Sequence, residues 1–281
     1  MDNQLNQANN KSNIGTILVS AGKIKSIDID RILAFQQQKN VRFGEAAKAL
    51  NLIKDEDIEY ALAIQFGYPV LLQDDQSVDK SIFMAFKPNS EAAENIRSIR
   101  EYLNLHWFNQ HKELIIVSQS TTDSASIVLA NLAVAYAQLG KRTLVIDADL
   151  INPKQHEYFK TENRYGLVDL LANRYIFKEV LRPTTIDNLF ILSSGAQPPN
   201  TYELISRSLK DLLQNIGAEF DVILIDTTAF DYGLEAKVVA SIIQGSIIVA
   251  KQNESKVSDV EYIKQNLLSV ECECLGAILN N

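Results

Sequence analysis

The amino-acid sequence predicts an α/β protein, a doubly wound and mostly parallel sheet preceded by a small, mainly helical domain. Three observations predict it. Five short apolar runs alternate with helical stretches from residue 114 onward. Two of those runs end in carboxylates, Asp147 with Asp149, and Asp226. Ahead of them, a segment of helical periodicity repeats itself once.

Composition sets the bounds. A chain of 281 residues has room for two domains. With 46% hydrophobic residues it can bury a core. A net charge of -8 without a basic stripe argues against a nucleic-acid polymer as partner. No apolar run approaches the roughly 18 residues of a membrane helix, so no direct membrane span is expected. Residues 1–12 are polar and Asn/Gln-rich and read as a loose tail, neither signal nor transit peptide. Cys272 and Cys274 are the only cysteines, and their spacing puts both side chains on one face of a strand. Such neighbours make a poor disulfide, so a reduced, cytoplasmic protein is expected.

The helical domain is expected over residues 13–72. Gly15 matches Gly44, Ile24 matches Ile53, Lys25 matches Lys54 and Asp28 matches Asp57, all at one offset (53 − 24 = 29). Each copy reads as a short helix, a turn and a longer amphipathic helix. Ser26 and Asp55 stand where N-caps belong. Two copies bury a seam that neither buries alone. A helical docking domain with no ligand of its own satisfies these features. The stretch Arg42-Phe43-Gly44-Glu45, followed by Asn51-Leu52-Ile53 and Ala61-Leu62-Ala63-Ile64-Gln65, resembles the N-terminal module of type II secretion and pilus ATPases. Some of those modules bind cyclic di-GMP, so the resemblance implies Arg42 and Gly44 as candidate contacts. It also has departures. Asn13 replaces the arginine in the first copy, and Asn51 replaces the second copy's counterpart of Gly22.

Residues 73–89 are polar and read as a partly packed linker to a domain over residues 90–281. The next helix is expected over residues 90–108. It carries Glu94, Arg97 and Arg100 at three-residue spacing, a charged stripe that by itself is an ordinary solvated face.

Residues 114–117, 142–149, 220–227, 245–250 and 275–279 are apolar runs suited to buried parallel strands. A helix over residues 127–139, closed by Gly140, joins the first two. Sheets of this kind bind ligands beyond the carboxyl ends of their strands. Asp147, Asp149 and Asp226 all fall there. A lone aspartate at such a place is commonly a cap. Three beside one loop point to magnesium and a nucleotide phosphate, or to descent from such a site.

Several motifs together resemble the bacterial tyrosine kinases of capsule and exopolysaccharide synthesis. They are residues 143–150, residues 220–227, Gly195-Ala196-Gln197-Pro198-Pro199-Asn200 with Glu203-Leu204, and Asn131-Leu132-Ala133. Glu94-x-x-Arg97-x-x-Arg100 belongs to the same resemblance, which implies ring assembly through those three residues. With the helical module in front, the chain is similar to the chain-length determinant kinases of exopolysaccharide clusters. The resemblance implies a P-loop NTPase fold with ATP or ADP and Mg2+ as cofactors. It implies Asp147 and Asp149 as catalytic carboxylates. Thr122, Asp123, Ser124, Ala125, Ser126 and Ile127 would hold nucleotide, and Ser126, Asp147 and Asp226 would hold the metal. It further implies a membrane polysaccharide co-polymerase or chain-length regulator as partner, oligomers with kinase-like subunits, and a peripheral place at the inner membrane.

The loop itself departs from the family. A working phosphate loop reads G-x-x-x-x-G-K-[ST]. Here Gln119 and Ser124 stand in place of the glycines and Ala125 in place of the lysine; the hydroxyl survives as Ser126. Alanine cannot neutralise charge on the β and γ phosphates. Family arginine after the aspartates is also missing, the chain reading Leu150-Ile151-Asn152-Pro153. The sequence therefore reads as a pseudokinase or regulatory subunit. The alternatives are an active ATP-dependent tyrosine kinase, a positioning ATPase of the septum-site and plasmid-segregation kind, and a cyclic di-GMP-responsive scaffold.

Overall fold

A computed structural model describes residues 13–119, 124–197 and 201–280. The chain divides into two compact units. One comprises the chain up to Asp75 together with Ala85–Ser90, the other Gln76–Met84 and Glu91–Asn281.

The first unit contains helices α1 (Ile14–Ser20), α2 (Ser26–Lys39), α3 (Phe43–Ala49) and α4 (Asp55–Gln65). Its core is Leu18, Ile32, Ala46, Ala47 and Ala61, with Ile17, Ile24 and Ile53 around them. The repeat survives as geometry. The Lys25 amide donates to Asp28 Oδ2 at 3.0 Å and the Lys54 amide to Asp57 Oδ2 at 2.9 Å. Ser26 and Asp55 are thus the first helical residues, and the caps lie one residue earlier. A carboxylate at the third helical position reaches back to do the capping. The sequence departures have structural answers. Asn51 has φ 55° where Gly22 has φ 70°, because asparagine tolerates the left-handed region. Asn13 caps α1, accepting from the Gly15 amide at 3.2 Å.

The second unit is a seven-stranded sheet in the order β3-β4-β2-β5-β1-β6-β7. Its strands are β1 (Glu113–Val117), β2 (Thr143–Ala148), β3 (Arg182–Pro183), β4 (Leu189–Leu192), β5 (Val222–Thr227), β6 (Gly245–Lys251) and β7 (Glu273–Asn280). All neighbours pair in parallel except β3 and β4. The main helices are α5 (Glu91–His106), α6 (Ser124–Ala137), α7 (Gln155–Tyr158), α8 (Leu167–Leu171), α9 (Thr201–Ile216), α10 (Glu235–Ile243) and α11 (Val257–Leu268). Every residue of β2 and β5 is buried, which is why both read as continuous apolar runs. Strands β3 and β4 had no counterpart in the sequence reading, since two and four residues give too little pattern to count.

Part of the segment read as a linker is packed. Val78, Ile82 and Met84 are buried. Asn131 on α6, fully buried, accepts from the Met84 amide at 3.0 Å and donates to the Ser81 carbonyl at 3.1 Å. Gln138 donates to the Met84 carbonyl at 2.9 Å. Asn131 on this otherwise apolar helix, and Gln138 just beyond its end, therefore fasten residues 81–84, which run into the short helix Phe83–Phe86.

The charged stripe on α5 also differs from expectation. Glu94 and Arg97 pair at 2.7 Å on the surface, whereas Arg100 is 5% exposed. Its guanidinium donates to the Ala135 carbonyl of α6 at 3.0 Å and pairs with Glu101 at 2.7 Å. Three-residue steps drift by about 60° each around a helix. Two such steps carry Arg100 about 120° from Glu94 and into the interior.

Candidate functional site: a buried carboxylate crevice

The carboxyl ends of β1, β5 and β2 lie side by side. Ile116 is the register partner of Asp226, and Asp226 of Asp147. Adjacent strands are about 4.8 Å apart, so the two aspartates are forced close by the sheet itself. Both are almost wholly buried. The loops after β1 and β5 are tied together: the Phe230 amide donates to the Ser118 carbonyl and the Asp231 amide to the Gln119 carbonyl, each at 3.0 Å.

The three strand-end aspartates have different surroundings. Asp149 Oδ1 accepts from the Ile151 and Asn152 amides at 3.1 and 2.9 Å and from Thr228 Oγ1 at 3.3 Å. It caps the turn that follows β2. Asp147 Oδ2 accepts from the amides of Lys154 and Gln155, both at 3.0 Å. Asp226 Oδ2 accepts from Gln155 Nε2 at 2.7 Å. Among the described residues, the remaining oxygens, Asp147 Oδ1 and Asp226 Oδ1, are buried and have no hydrogen-bond partner.

Electrostatics follow from burial. Burial raises the Asp226 carboxyl to about 7, with the nearby Asp149 adding to the rise and the Gln155 amide and Ser126 hydroxyl opposing it. Burial also holds Asp147 well above the usual carboxylate range, and the neighbouring Asp226 pushes it further. Two carboxyls this close cannot both ionise easily in a dry site.

Two unpartnered carboxylate oxygens beside a serine hydroxyl are a donor set suited to magnesium, which takes oxygen ligands and keeps several waters. Asp147, Asp226 and Ser126 are the residues that would hold it. Among the described residues, no three His, Cys, Asp or Glu side chains gather into an all-protein cation cage. The first turn of α6 contributes Ser124, Ala125, Ser126 and Ile127 beside the crevice, with Ala125 buried. Thr122 and Asp123 lie outside the described residues. Among the described residues, no helix is long and apolar enough to cross a membrane.

Comparison with known proteins places this arrangement. A family model described as an AAA domain matches residues 117–256. CapB of Staphylococcus aureus is 33% identical over 207 residues, 73% of this chain and 91% of that protein. The tyrosine-protein kinase YwqD of Bacillus subtilis is 30% identical over 72% of this chain and 86% of its own. This chain belongs to the bacterial tyrosine-protein kinase family. The kinase domain of Escherichia coli tyrosine kinase ETK has the same fold, with a TM-score of 0.69 at 26% identity over 75% of this chain and 84% of that domain.

Within the kinase-family fold, Asp147 and Asp226 converge with Ser126, as their positions at strand ends and helix start predict. Glu94 and Arg97 lie on α5, whereas Arg42 and Gly44 belong to the helical unit. Arg42 stands just before α3, its amide donating to Glu45 at 2.9 Å. A side chain added at Gly44 would come within 2.9 Å of Ile58 Cδ1, so this glycine serves close helix packing. Sequence reasoning missed Gln155, which touches both carboxylates. A lone glutamine at the start of a four-residue helix carries no periodic signal, and only the folded sheet brings its partners together.

Proposed function

We propose that this protein is a catalytically silent, regulatory member of the bacterial tyrosine-protein kinases, acting in exopolysaccharide synthesis and chain-length control. One observation carries the reading. Position 125, in the first turn of the helix after the phosphate loop, is a buried alanine where a catalytic loop needs lysine. The transferring phosphoryl group builds charge that a lysine offsets, and loss of such a contact costs a hundredfold to a thousandfold and more in rate. Gln119 and Ser124 also replace the glycines that let backbone amides turn toward phosphates. The carboxylate crevice still supports weak binding of ATP or ADP with Mg2+. In this reading the protein docks on a membrane polysaccharide co-polymerase or on kinase-family subunits, with Glu94 and Arg97 as the surface contact.

Incubation of the purified protein with ATP and magnesium, followed by phosphotyrosine detection, tests it. No phosphotyrosine is expected, alone or after mixing with a catalytically dead family member. Time-dependent phosphotyrosine on the protein alone would restore the other reading, an active ATP-dependent tyrosine kinase, which family membership and the retained carboxylate pair favour.

A second reading concerns the helical unit. The left-handed Asn51 keeps the turn that Gly22 makes in the first copy, so the two copies turn alike, and the departure at Asn51 does not count against the resemblance that Arg42 and Gly44 carry. A cyclic di-GMP-responsive scaffold predicts a rise in melting temperature with that ligand, abolished in Arg42→Ala. No shift near 100 µM ligand removes this reading.

A further inference from the structure

Gln155 is a neutral, fully buried side chain in the middle of the carboxylate crevice. Its backbone amide donates to Asp147 Oδ2 at 3.0 Å. Its side-chain Nε2 donates to Asp226 Oδ2 at 2.7 Å and to the Ser126 carbonyl at 3.1 Å. Both partners of the side-chain nitrogen are acceptors, so the amide has only one sensible orientation. The nitrogen must face them, and Oε1 is left buried without a partner among the described residues. One residue thus joins the end of β2, the end of β5 and the first turn of α6.

The consequence lies in which oxygens remain. Gln155 engages Oδ2 of both aspartates and Oδ1 of neither. Among the described residues the two Oδ1 atoms are buried and unpartnered, and they sit on residues that are register neighbours. Unpaired buried acceptors are costly and uncommon in native proteins. A pair of them, held side by side by a third residue, is what a divalent cation needs.

We propose that Gln155 is a positioning residue for a divalent cation on the Asp147–Asp226 pair: by holding one oxygen of each carboxylate, it leaves the other oxygen of each free for the ion. The inference rests on reading the crevice as a nucleotide–magnesium site, but it does not require catalysis. Glutamine suits this role where its alternatives do not. Lysine would put a positive charge beside the ion. Glutamate would add a third negative charge and remove the donor. A leucine or methionine would free the Asp226 carboxylate to rotate, while Asp147 Oδ2 would stay held by the Lys154 and Gln155 backbone amides.

Titration of the full chain with Mn2+ alone, without nucleotide, tests this by calorimetry at about pH 8 in metal-free buffer. The wild-type chain should bind Mn2+, and Asp226→Asn should abolish binding. Gln155→Met keeps the volume and removes the donors. It should weaken Mn2+ binding by about ten- to hundredfold, the range for lost partners of metal ligands, while its melting curve in chelator shows a folded chain. Unchanged affinity in a folded Gln155→Met would overturn the proposal. Should that variant fail to fold, Gln155→Glu decides: weaker binding supports orientation by a donor, and equal or tighter binding overturns it. Absence of Mn2+ binding by the wild-type chain at millimolar concentration also overturns it. None of these outcomes bears on catalytic silence, which the phosphotyrosine assay reads separately.

Discussion

Asp147 and Asp226 are register partners on adjacent parallel strands, and each presents one bonded and one unpartnered oxygen to the same buried space. The sheet imposes this closeness, and the surroundings do not relieve the charge. The pH dependence that follows has a definite sign. The Asp226 carboxyl is raised from 3.8 to about 7 in the folded chain, mainly by burial. Between those values the folded chain holds a proton that the unfolded chain has released. Its contribution to stability is fully present at the acid end and is lost as pH rises through about 7. In chelator, Asp226→Asn should therefore melt higher than wild type at about pH 8, by roughly 2–8 °C for a gain of about 1–2 kcal/mol. The gap should narrow toward about pH 5. Thermal melts at both pH values check this, and a gap that stays constant would count against a proton held on Asp226.

The altered phosphate loop makes a second prediction. Gln119→Gly, Ser124→Gly and Ala125→Lys together rebuild the family pattern ahead of Ser126. Because the carboxylates are already in place, the triple variant should bind ADP·Mg at least about tenfold tighter than wild type. Calorimetric titration of both proteins measures this. Equal affinity would mean that features beyond the loop have left the site unable to hold nucleotide.

Much of this arrangement was legible in the sequence, and the exceptions have identifiable causes. Residues 114–117 and 220–227 announce themselves because strands buried on both faces must be apolar throughout. Asp147 and Asp226 are legible because they terminate such runs. The first-turn carboxylates Asp28 and Asp57 repeat at the same offset as the helices they cap. The short strands β3 and β4, the anchoring of Val78, Ile82 and Met84 within the partly packed linker, and the burial of Arg100 were not legible. The strands are too short to carry a pattern, while the other two depend on partners distant in the chain. Gln155 is the clearest case, since its three acceptors come from α6, β2 and β5.

Arg97 and Arg100 should separate assembly from stability. Arg100 donates a buried hydrogen bond to the Ala135 carbonyl, and Tyr136 in turn donates to the Arg100 carbonyl at 3.2 Å. Arg100→Ala leaves a buried acceptor unpaired and should cost about 1–3 kcal/mol in chemical denaturation. Arg97 has an exposed partner in Glu94. Arg97→Ala should stay within about 0.5 kcal/mol of wild type. If α5 is an assembly face, sedimentation of Arg97→Ala will shift to smaller species at unchanged stability. Equal destabilisation by both substitutions would show that the whole stripe is structural.

Gly166 stands where the loop before α8 meets the end of β4. Its amide donates to Asp169 Oδ2 at 2.9 Å, and the next amide, Leu167, donates to the Ser193 carbonyl at 2.8 Å. A Cβ at this position would lie 1.9 Å from the Ser193 carbonyl oxygen and 2.7 Å from the Gly195 amide nitrogen. Those are backbone atoms, so no side-chain rotation relieves the clash. The backbone at Gly166 is extended, which any residue adopts, so crowding alone accounts for the glycine. Gly166→Ala should therefore destabilise the second unit by more than about 3 kcal/mol, at or beyond the upper range for overpacking. Gly22→Ala is the contrast, a left-handed glycine with open space around it, and should cost about 1–2 kcal/mol. Denaturant melts of the two variants rank them directly. A Gly166→Ala chain as stable as Gly22→Ala would mean that the loop and β4 can part without cost.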